Sequence, residues 1–318
     1  MARDFHSMGG WPLLVSMLSD VVHLPSTTTP VEDGTTAKQA TNDTEKSITT
    51  SISPEKRAMI DEIQTLAAWT IGTAVSNLDE FFPWATEDYS AAFRSITPTE
   101  EGTLPVTPIS LLVDILRTDL ELPSLSLEPV PAAKREKVLY ALGSLLRGNR
   151  DGQLNFIMSD GPSVLGESLS HVAQDMRETI DPTSQEGMYH GGAKFASRAL
   201  GLADDIITEV VDNPSEDETQ QMVSKVVIQS FTDITWCDSA LELLDHGQDD
   251  KLREMALRSI LVMIPYCGIS PDWDATKAVQ VVEKARTQWI MQETNDMHYE
   301  YRDELLQLVK ATLKTLGN

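Results

Sequence analysis

The feature that most constrains the fold is the apolar pattern of residues 134–149, KREKVLYALGSLLRGN. Its large apolar residues recur at the intervals that place them on one face of an α-helix. They are Val138, Leu139, Leu142, Leu145 and Leu146. Gly148 and Asn149 follow, and both residue types tolerate the left-handed conformation that ends many helices. The pattern therefore predicts an amphipathic helix that ends near Asn149.

A short helix is predicted next, from Gln153 to Met158, and we expect Gly161-Pro162 to break it before a third helix begins at Ser163. A helix, a tight turn, a short helix, a glycine break and a further helix form the unit of an armadillo-type solenoid, in which each repeat packs on its neighbours. We therefore predict an all-α protein, an armadillo-like right-handed α-solenoid with disordered insertions.

Apolar periodicity predicts further helices on both sides of this unit. They cover approximately residues 2–8, 11–18, 53–77, 80–96, 109–116, 163–178, 191–211, 221–232, 236–244, 249–264, 273–294 and 299–316. No β-branched run alternates with polar residues over more than a few positions, so no strand is predicted. Long helices of the third type centre near Trp69, Tyr140, Leu200 and Leu257. This spacing predicts a repeat solenoid over residues 1–294 and a C-terminal capping helix of the same domain over residues 295–318.

Two polar tracts interrupt the periodicity. Residues 19–53 are rich in Ser and Thr, and residues 97–107 form a Pro/Thr/Gly linker, so both are predicted as disordered insertions. Asn42 begins an Asn-Asp-Thr sequon, which predicts N-glycosylation only in a secreted chain, and chance occurrence in a polar tract is the alternative. Since the helical pattern begins at Ala2, we expect either that residues precede Met1 in a longer form or that this form is shortened.

The chain is strongly acidic, because 49 Asp and Glu residues oppose 25 Lys and Arg residues and give a formal net charge of −24. Nucleic acids and anionic membrane surfaces are bound through cations, so we predict no nucleic-acid and no membrane partner. A protein partner with a basic patch is favoured instead. No apolar run reaches the roughly 20 residues of a membrane span, and the N-terminal residues do not form an intact secretory signal.

No motif for catalysis, phosphate binding or metal binding occurs, and the six histidines are scattered among unrelated segments. We therefore predict that the protein is not an enzyme and that it uses no cofactor and no metal. The two cysteines, Cys237 and Cys267, are too few for a zinc site. Adjacent antiparallel helices could bring them within disulfide range, but both neighbourhoods are apolar. We favour free thiols, with a bridge in an oxidising compartment as the alternative.

Several segments resemble the armadillo-type nucleotide-exchange factors of the heat shock protein 70 chaperones. Residues 134–149, followed by FIMSDGPSVL, carry the resemblance, and ARDFHSMGGWPLLVSML and LAAWTIGTAVSN look like the opening repeat and the helix after it. WCDSALELL, LREMALRSILVMIPYC and YRDELLQLVKATLKTLG look like the C-terminal part of the endoplasmic-reticulum member, the Sil type that acts on BiP. The family's upstream helical segment and signal peptide are not found in this sequence.

The resemblance implies a co-chaperone that grips one lobe of the chaperone's nucleotide-binding domain with the concave face of its solenoid. Opening of the nucleotide cleft then releases ADP, and no covalent chemistry is needed. Such a factor must bind the open state more tightly than the closed state. By resemblance the partner is BiP and the location is the lumen of the endoplasmic reticulum, and we expect a monomer. A cytosolic exchange factor of the Fes type is the alternative.

Helices of the third type line the concave face in armadillo folds, so their non-core positions predict the partner-binding residues. These are Asn77, Lys134, Lys137, Tyr140, Arg147, Lys194 and Arg198. The basic members could instead lie along the groove or pair with neighbouring acids for structural reasons alone. A scaffold that binds an extended peptide is the alternative function. It is disfavoured because the asparagine expected in each third helix is replaced, after Trp69, by Ile-Gly-Thr.

Overall fold

The protein is all-α in the part of the chain that the structure describes. The computed structural model describes residues 2–19, 53–76, 78–93, 105–121, 131–178, 192–214, 217–247, 249–291 and 299–317, and no β-strand occurs among them. The predicted all-α class is thereby confirmed. The predicted insertions lie largely outside the described residues.

The helices follow one another with short connections wherever the chain is described. In chain order they are α1 (Ala2–Ser7), α2 (Gly10–Ser16), α3 (Pro54–Val75), α4 (Phe82–Ala85), α5 (Ser90–Phe93), α6 (Pro108–Glu121), α7 (Ala132–Leu146), α8 (Arg150–Met158), α9 (Gly161–Glu178), α10 (Gly192–Asp212), α11 (Glu218–Phe231), α12 (Ile234–His246), α13 (Asp250–Cys267), α14 (Ala275–Met291) and α15 (Tyr299–Thr315). One 3₁₀ turn, η1 (Asp79–Phe81), precedes α4.

Side chains at the connections determine where several helices begin. The Ser53 hydroxyl accepts a hydrogen bond from the Lys56 amide at the start of α3, and the Asp233 carboxylate caps α12 in the same way. After α7, Gly148 has a φ of 70°, as its left-handed role requires. Its neighbour Asn149 does not end a helix but begins α8, since its side chain accepts from the Gly152 amide.

The boundary before α9 differs from the sequence prediction. The residue with a positive φ is Asp160, at 61°, and α9 begins at Gly161 rather than at Ser163. Gly161 is needed for packing, because a Cβ at this position would overlap the Phe156 ring. The predicted break therefore lies one residue earlier, and Gly161-Pro162 forms the first turn of the helix.

The single helix predicted over residues 80–96 is wrong where it can be judged. The described residues form η1, α4 and α5, with Thr86–Tyr89 not helical. The Asp88 carboxylate accepts from the Ser90 amide, and the Tyr89 amide donates to the Val106 carbonyl, so the chain turns here. Disorder was also predicted for residues 105–107, yet Thr107 is fully buried and its hydroxyl donates to Asn155 at 2.7 Å.

The longer helices are arranged in two rows. In the first row α3, α7, α10, α13 and α15 each contact the next, and in the second row α6, α9, α12 and α14 do the same. The rows pack on one another through α6 with α7, α9 with α10 and α12 with α13. The shorter helices α8 and α11 contact members of both rows. The buried apolar residues form one continuous core between the rows.

The first two helices of the first row, α3 and α7, run in the same direction. The Lys137 ammonium lies 4.9 Å from the centroid of the Trp69 ring. One turn further along both helices, a Cβ added at Gly72 would lie 2.6 Å from the Tyr140 ring. A step toward the C-terminus of α3 is thus matched by a step toward the C-terminus of α7. Parallel neighbours require a long connection, which the helices of the second row provide.

The two cysteines are joined, so the prediction of free thiols is wrong. Cys237 in the first turn of α12 and Cys267 at the end of α13 form a disulfide, with Cα atoms 6.1 Å apart. The two helices form an antiparallel pair, which brings the start of one beside the end of the other. Both residues are 2% exposed, so the apolar neighbourhoods were identified correctly but do not distinguish a buried thiol from a buried bridge.

Candidate partner-binding surface

Most of the predicted binding residues lie on the solvent-facing side of the surface that α3, α7 and α10 form. We call this surface the long-helix face and define it by its exposed and half-buried side chains. They are Leu66, Trp69 and Thr73 of α3, Glu136, Lys137, Tyr140 and Arg147 of α7, and Lys194, Arg198 and Asp205 of α10. Five of the seven predicted residues lie on it.

Helix α3 exposes apolar side chains on this face. Leu66 is 52% exposed and Trp69 is 48% exposed, although the other side of the helix supplies Ile71 and further buried residues to the core. The Lys137 ammonium lies over the Trp69 ring, where a cation is attracted by the π-electrons. A half-exposed tryptophan beside a cation is typical of the residues that dominate protein interfaces.

Tyr140 closes the junction between α3 and α7. Its ring packs directly on Gly72, as the overlap described above shows. The ring is half-buried, and it continues the aromatic surface that begins at Trp69. Glycine is needed here for close approach of the two helices, which places the α3 and α7 parts of the face side by side.

The basic residues between α7 and α10 are paired with acids. The Arg147 Nε donates to the Asp205 carboxylate at 2.6 Å, and about half of each side chain is exposed. Near the other end of α7, Lys194 pairs with the Glu136 carboxylate, and Arg198 Nη1 lies 3.7 Å from the same carboxylate. These contacts join α7 to α10 across the row. In this part of the face the basic residues thus form cross-helix ion pairs, which is the alternative that the sequence left open.

Lys134 does not belong to this surface. We expected it outside the core, but it is 1% exposed and its ammonium lies 2.8 Å from the Asp61 carboxylate inside the junction of α3 and α7. Arg57 Nε lies 3.7 Å from the same Asp61 oxygen. The sequence held a signal for this burial, since Lys134 precedes Val138 and Leu142 at four-residue intervals on the buried side of α7. Asn77 and Asn42 lie outside the described residues.

Beyond α10, the row continues with a more buried acidic group. Burial raises the pKa of Asp204, and the neighbouring charge of Asp205 raises it further, while Arg258 of α13 acts in the opposite direction. The two adjacent acids therefore differ, since Asp204 is half-buried and feels Arg258 of α13, whereas about half of the Asp205 side chain is exposed beside Arg147.

Neither a metal-binding group nor a membrane-spanning helix is found among the described residues. Comparison with known proteins adds no relative, because no family model, no curated protein and no solved structure matches the chain.

Proposed function

We propose that the protein is an armadillo-type nucleotide-exchange factor that binds the nucleotide-binding domain of the heat shock protein 70 chaperone BiP and promotes ADP release. The observation that carries this proposal is the long-helix face, where Trp69 and Leu66 are half exposed beside Lys137 on a row of parallel helices. In the proposal the two rows form a right-handed armadillo-like solenoid, and the long-helix face is its concave side.

The make-up of the face suits a protein partner. Interfaces combine an apolar or aromatic centre with a polar rim, and a few Trp, Tyr and Arg residues contribute most of the binding energy. Here Trp69 and Tyr140 form the centre, and the ion pair of Arg147 with Asp205 lies toward the edge. An exchange factor needs such a surface and no catalytic group, because its work is to bind one chaperone conformation more tightly than another.

The disulfide supports a location in the endoplasmic reticulum. Structural disulfides persist in oxidising compartments and are rare in the cytosol. The bridge between Cys237 and Cys267 therefore favours the lumenal Sil type over the cytosolic Fes type. Glycosylation of Asn42 is part of the same proposal, and so is action as a monomer.

The same exposed Trp69 would also suit a scaffold that binds an extended peptide. We rank the scaffold second, because the turn after Trp69 offers Thr73 rather than an asparagine amide to a peptide backbone. An exchange factor would accelerate ADP release from a nucleotide-loaded chaperone, whereas a peptide-binding scaffold would not.

Release of fluorescently labelled ADP from purified BiP tests the proposal directly. We expect the chain to accelerate release roughly 5- to 150-fold, the range of typical coupling free energies between two sites. Cytosolic heat shock protein 70 serves as the comparison and should respond less. Binding without acceleration would support the scaffold, and absence of binding to either chaperone would remove the proposal.

Trp69→Ala tests whether the long-helix face is responsible. We expect this variant to lose at least about tenfold in affinity for BiP, as hot-spot residues do on truncation. Met158→Ala is the matched control, since Met158 is 56% exposed but lies on α8, away from the face. Equal binding by both variants would place the contact elsewhere on the molecule.

A further inference from the structure

A second candidate interaction surface lies where α10, α11 and α13 come together. The end of α10, one side of α11 and the end of α13 enclose a groove of about 690 Å³. Its apolar lining includes Val210, Val211, Ile228, Tyr266 and Ile269. The volume falls within the range of known ligand-binding clefts. None of the residues of the long-helix face lines it.

The apolar surface continues beyond the groove. Ile269 is 78% exposed and Val211 is 47% exposed at its edge, and Met222 and Val226 of α11 are 71% and 44% exposed. Exposed apolar surfaces of this kind mark interaction sites when they are contiguous. An extent greater than the groove itself favours a macromolecular partner over a small ligand.

One charged side chain lines the groove among the described residues, and it is Lys225. Lys225 is exposed and forms no ion pair with any described residue. In a chain with 49 acidic and 25 basic residues, many cations have an acidic neighbour, as Arg147, Lys194 and Arg198 of the long-helix face do. A cation that has no ion pair with a described residue and lies beside an apolar groove is complementary to a ligand that brings an acidic group next to apolar ones.

We propose that this groove binds an amphipathic segment of a partner protein, with apolar side chains along one face and an acidic side chain that pairs with Lys225. Laying the apolar face of a segment into a groove is a common mode of peptide recognition. The proposal does not depend on chaperone binding. Asp217 and Glu218 at the start of α11 would instead attract a basic segment. The charge of the segment that the groove prefers therefore distinguishes the two possibilities.

Two displayed peptide libraries test the proposal with the full chain. Both present 14-residue peptides with leucine at two positions four residues apart, and the flanking positions carry Asp and Glu in one library and Lys and Arg in the other. We expect the acidic library to be enriched. The selected peptides should bind Lys225→Glu roughly five- to tenfold more weakly, and they should lose binding to Ile269→Asp.

Lys251→Glu is the matched control, because it introduces the same charge change at another exposed lysine. Lys251 lies at the start of α13, whereas the groove lies at the end of that helix. This variant should bind the selected peptides as the parent does. Enrichment of the basic library, no enrichment of either, or equal weakening by both lysine variants would overturn the proposal. Binding of dodecanoate in place of peptides, with the same dependence on Lys225, would also overturn it, because it would identify a small amphiphile as the ligand.

Discussion

Two junctions between neighbouring helices are held by different means. At the junction of α3 and α7, the Lys134 ammonium and the Asp61 carboxylate form an ion pair that is almost fully enclosed. At the junction of α12 and α13, the Cys237–Cys267 disulfide joins two buried positions that are separated by 30 residues in sequence. The ion pair stabilises its junction only while both charges are present. The disulfide stabilises its junction only while the surroundings keep it oxidised.

The two junctions should therefore be destabilised by different changes. A buried charge that loses its partner is strongly unfavourable, whereas replacing both partners by apolar residues can be neutral. A disulfide acts mainly on the unfolded chain by restricting its conformations, and reductant removes that effect without any mutation. The half of the molecule that contains the proposed chaperone-binding face is thus sensitive to charge, and the C-terminal half is sensitive to reduction.

Removing one charge of the buried pair should have the largest effect. We expect Lys134→Ala to lower the free energy of unfolding by at most about 3–5 kcal/mol, because the Asp61 carboxylate would remain enclosed with only the more distant Arg57 guanidinium beside it. Urea denaturation monitored by circular dichroism measures the change. The double variant Lys134→Met with Asp61→Leu should recover most of the loss, and a single variant as stable as the parent would show that the pair contributes little.

Loss of the disulfide should have the next largest effect. For a loop of 30 residues we expect the free energy of unfolding to fall by about 3.5 kcal/mol when the bridge is reduced or when both cysteines are replaced by alanine. Dithiothreitol should lower the melting temperature of the parent but not that of the Cys237→Ala, Cys267→Ala variant. If dithiothreitol leaves the melting temperature of the parent unchanged, the result would contradict the presence of the disulfide.

A side chain added where α3 meets α7 tests the close approach of the two helices. Gly72→Ala should destabilise the fold by about 1–3 kcal/mol despite its gain in helix propensity, because the new Cβ would lie 3.1 Å from the backbone Cα of Ala141. Gly201→Ala in α10 is the control, since its Cβ would only meet Met255 at 3.6 Å. We expect that variant to be neutral or up to about 1 kcal/mol more stable.

The smallest effect is expected at a partly exposed polar cluster near the N-terminus. Burial raises the pKa of Glu87, but hydrogen bonds from His6 at 3.0 Å and Tyr89 at 2.7 Å outweigh it, so the pKa lies below its usual value. A lowered pKa means that Glu87 stabilises the fold above its unfolded-state pKa and that this stabilisation is lost as the pH falls through the folded-state value.

Glu87→Gln should therefore be less stable than the parent at neutral pH by less than about 1 kcal/mol, since the pair is partly exposed. The difference should shrink between about pH 5 and pH 3. Melting curves of the two proteins across this range measure it. A stability difference that grows as the pH falls would contradict the lowered pKa of Glu87.

Most helices could be predicted from the sequence, because their buried sides repeat at helical intervals regardless of what covers them. The periodicity of α3 leaves Leu66 and Trp69 off its buried side, but their exposure also depends on where α7 lies against α3, and a tryptophan is far more often buried. The acids that pair with the basic residues of the face, Glu136 and Asp205, could likewise not be identified, since the pairs join α7 to α10 and the chain passes through α8 and α9 between them.

The cysteines illustrate a different limit. Helical periodicity predicted two buried positions, and burial alone is equally compatible with two thiols and with a bridge. The choice depends on whether the start of α12 lies beside the end of α13, which follows only from the tertiary packing of the two helices.

The most direct test of the proposed function is ADP release from BiP by the Lys137→Glu, Arg147→Glu variant at moderate ionic strength. Asp205 faces Arg147, so a second variant that adds Asp205→Arg restores an ion pair with reversed polarity and serves as the control for folding. We predict that the variant with Asp205→Arg melts as the parent does and that both variants accelerate ADP release at least about tenfold less than the parent. Parent-like acceleration by the first variant would contradict the account and place the chaperone-binding surface elsewhere.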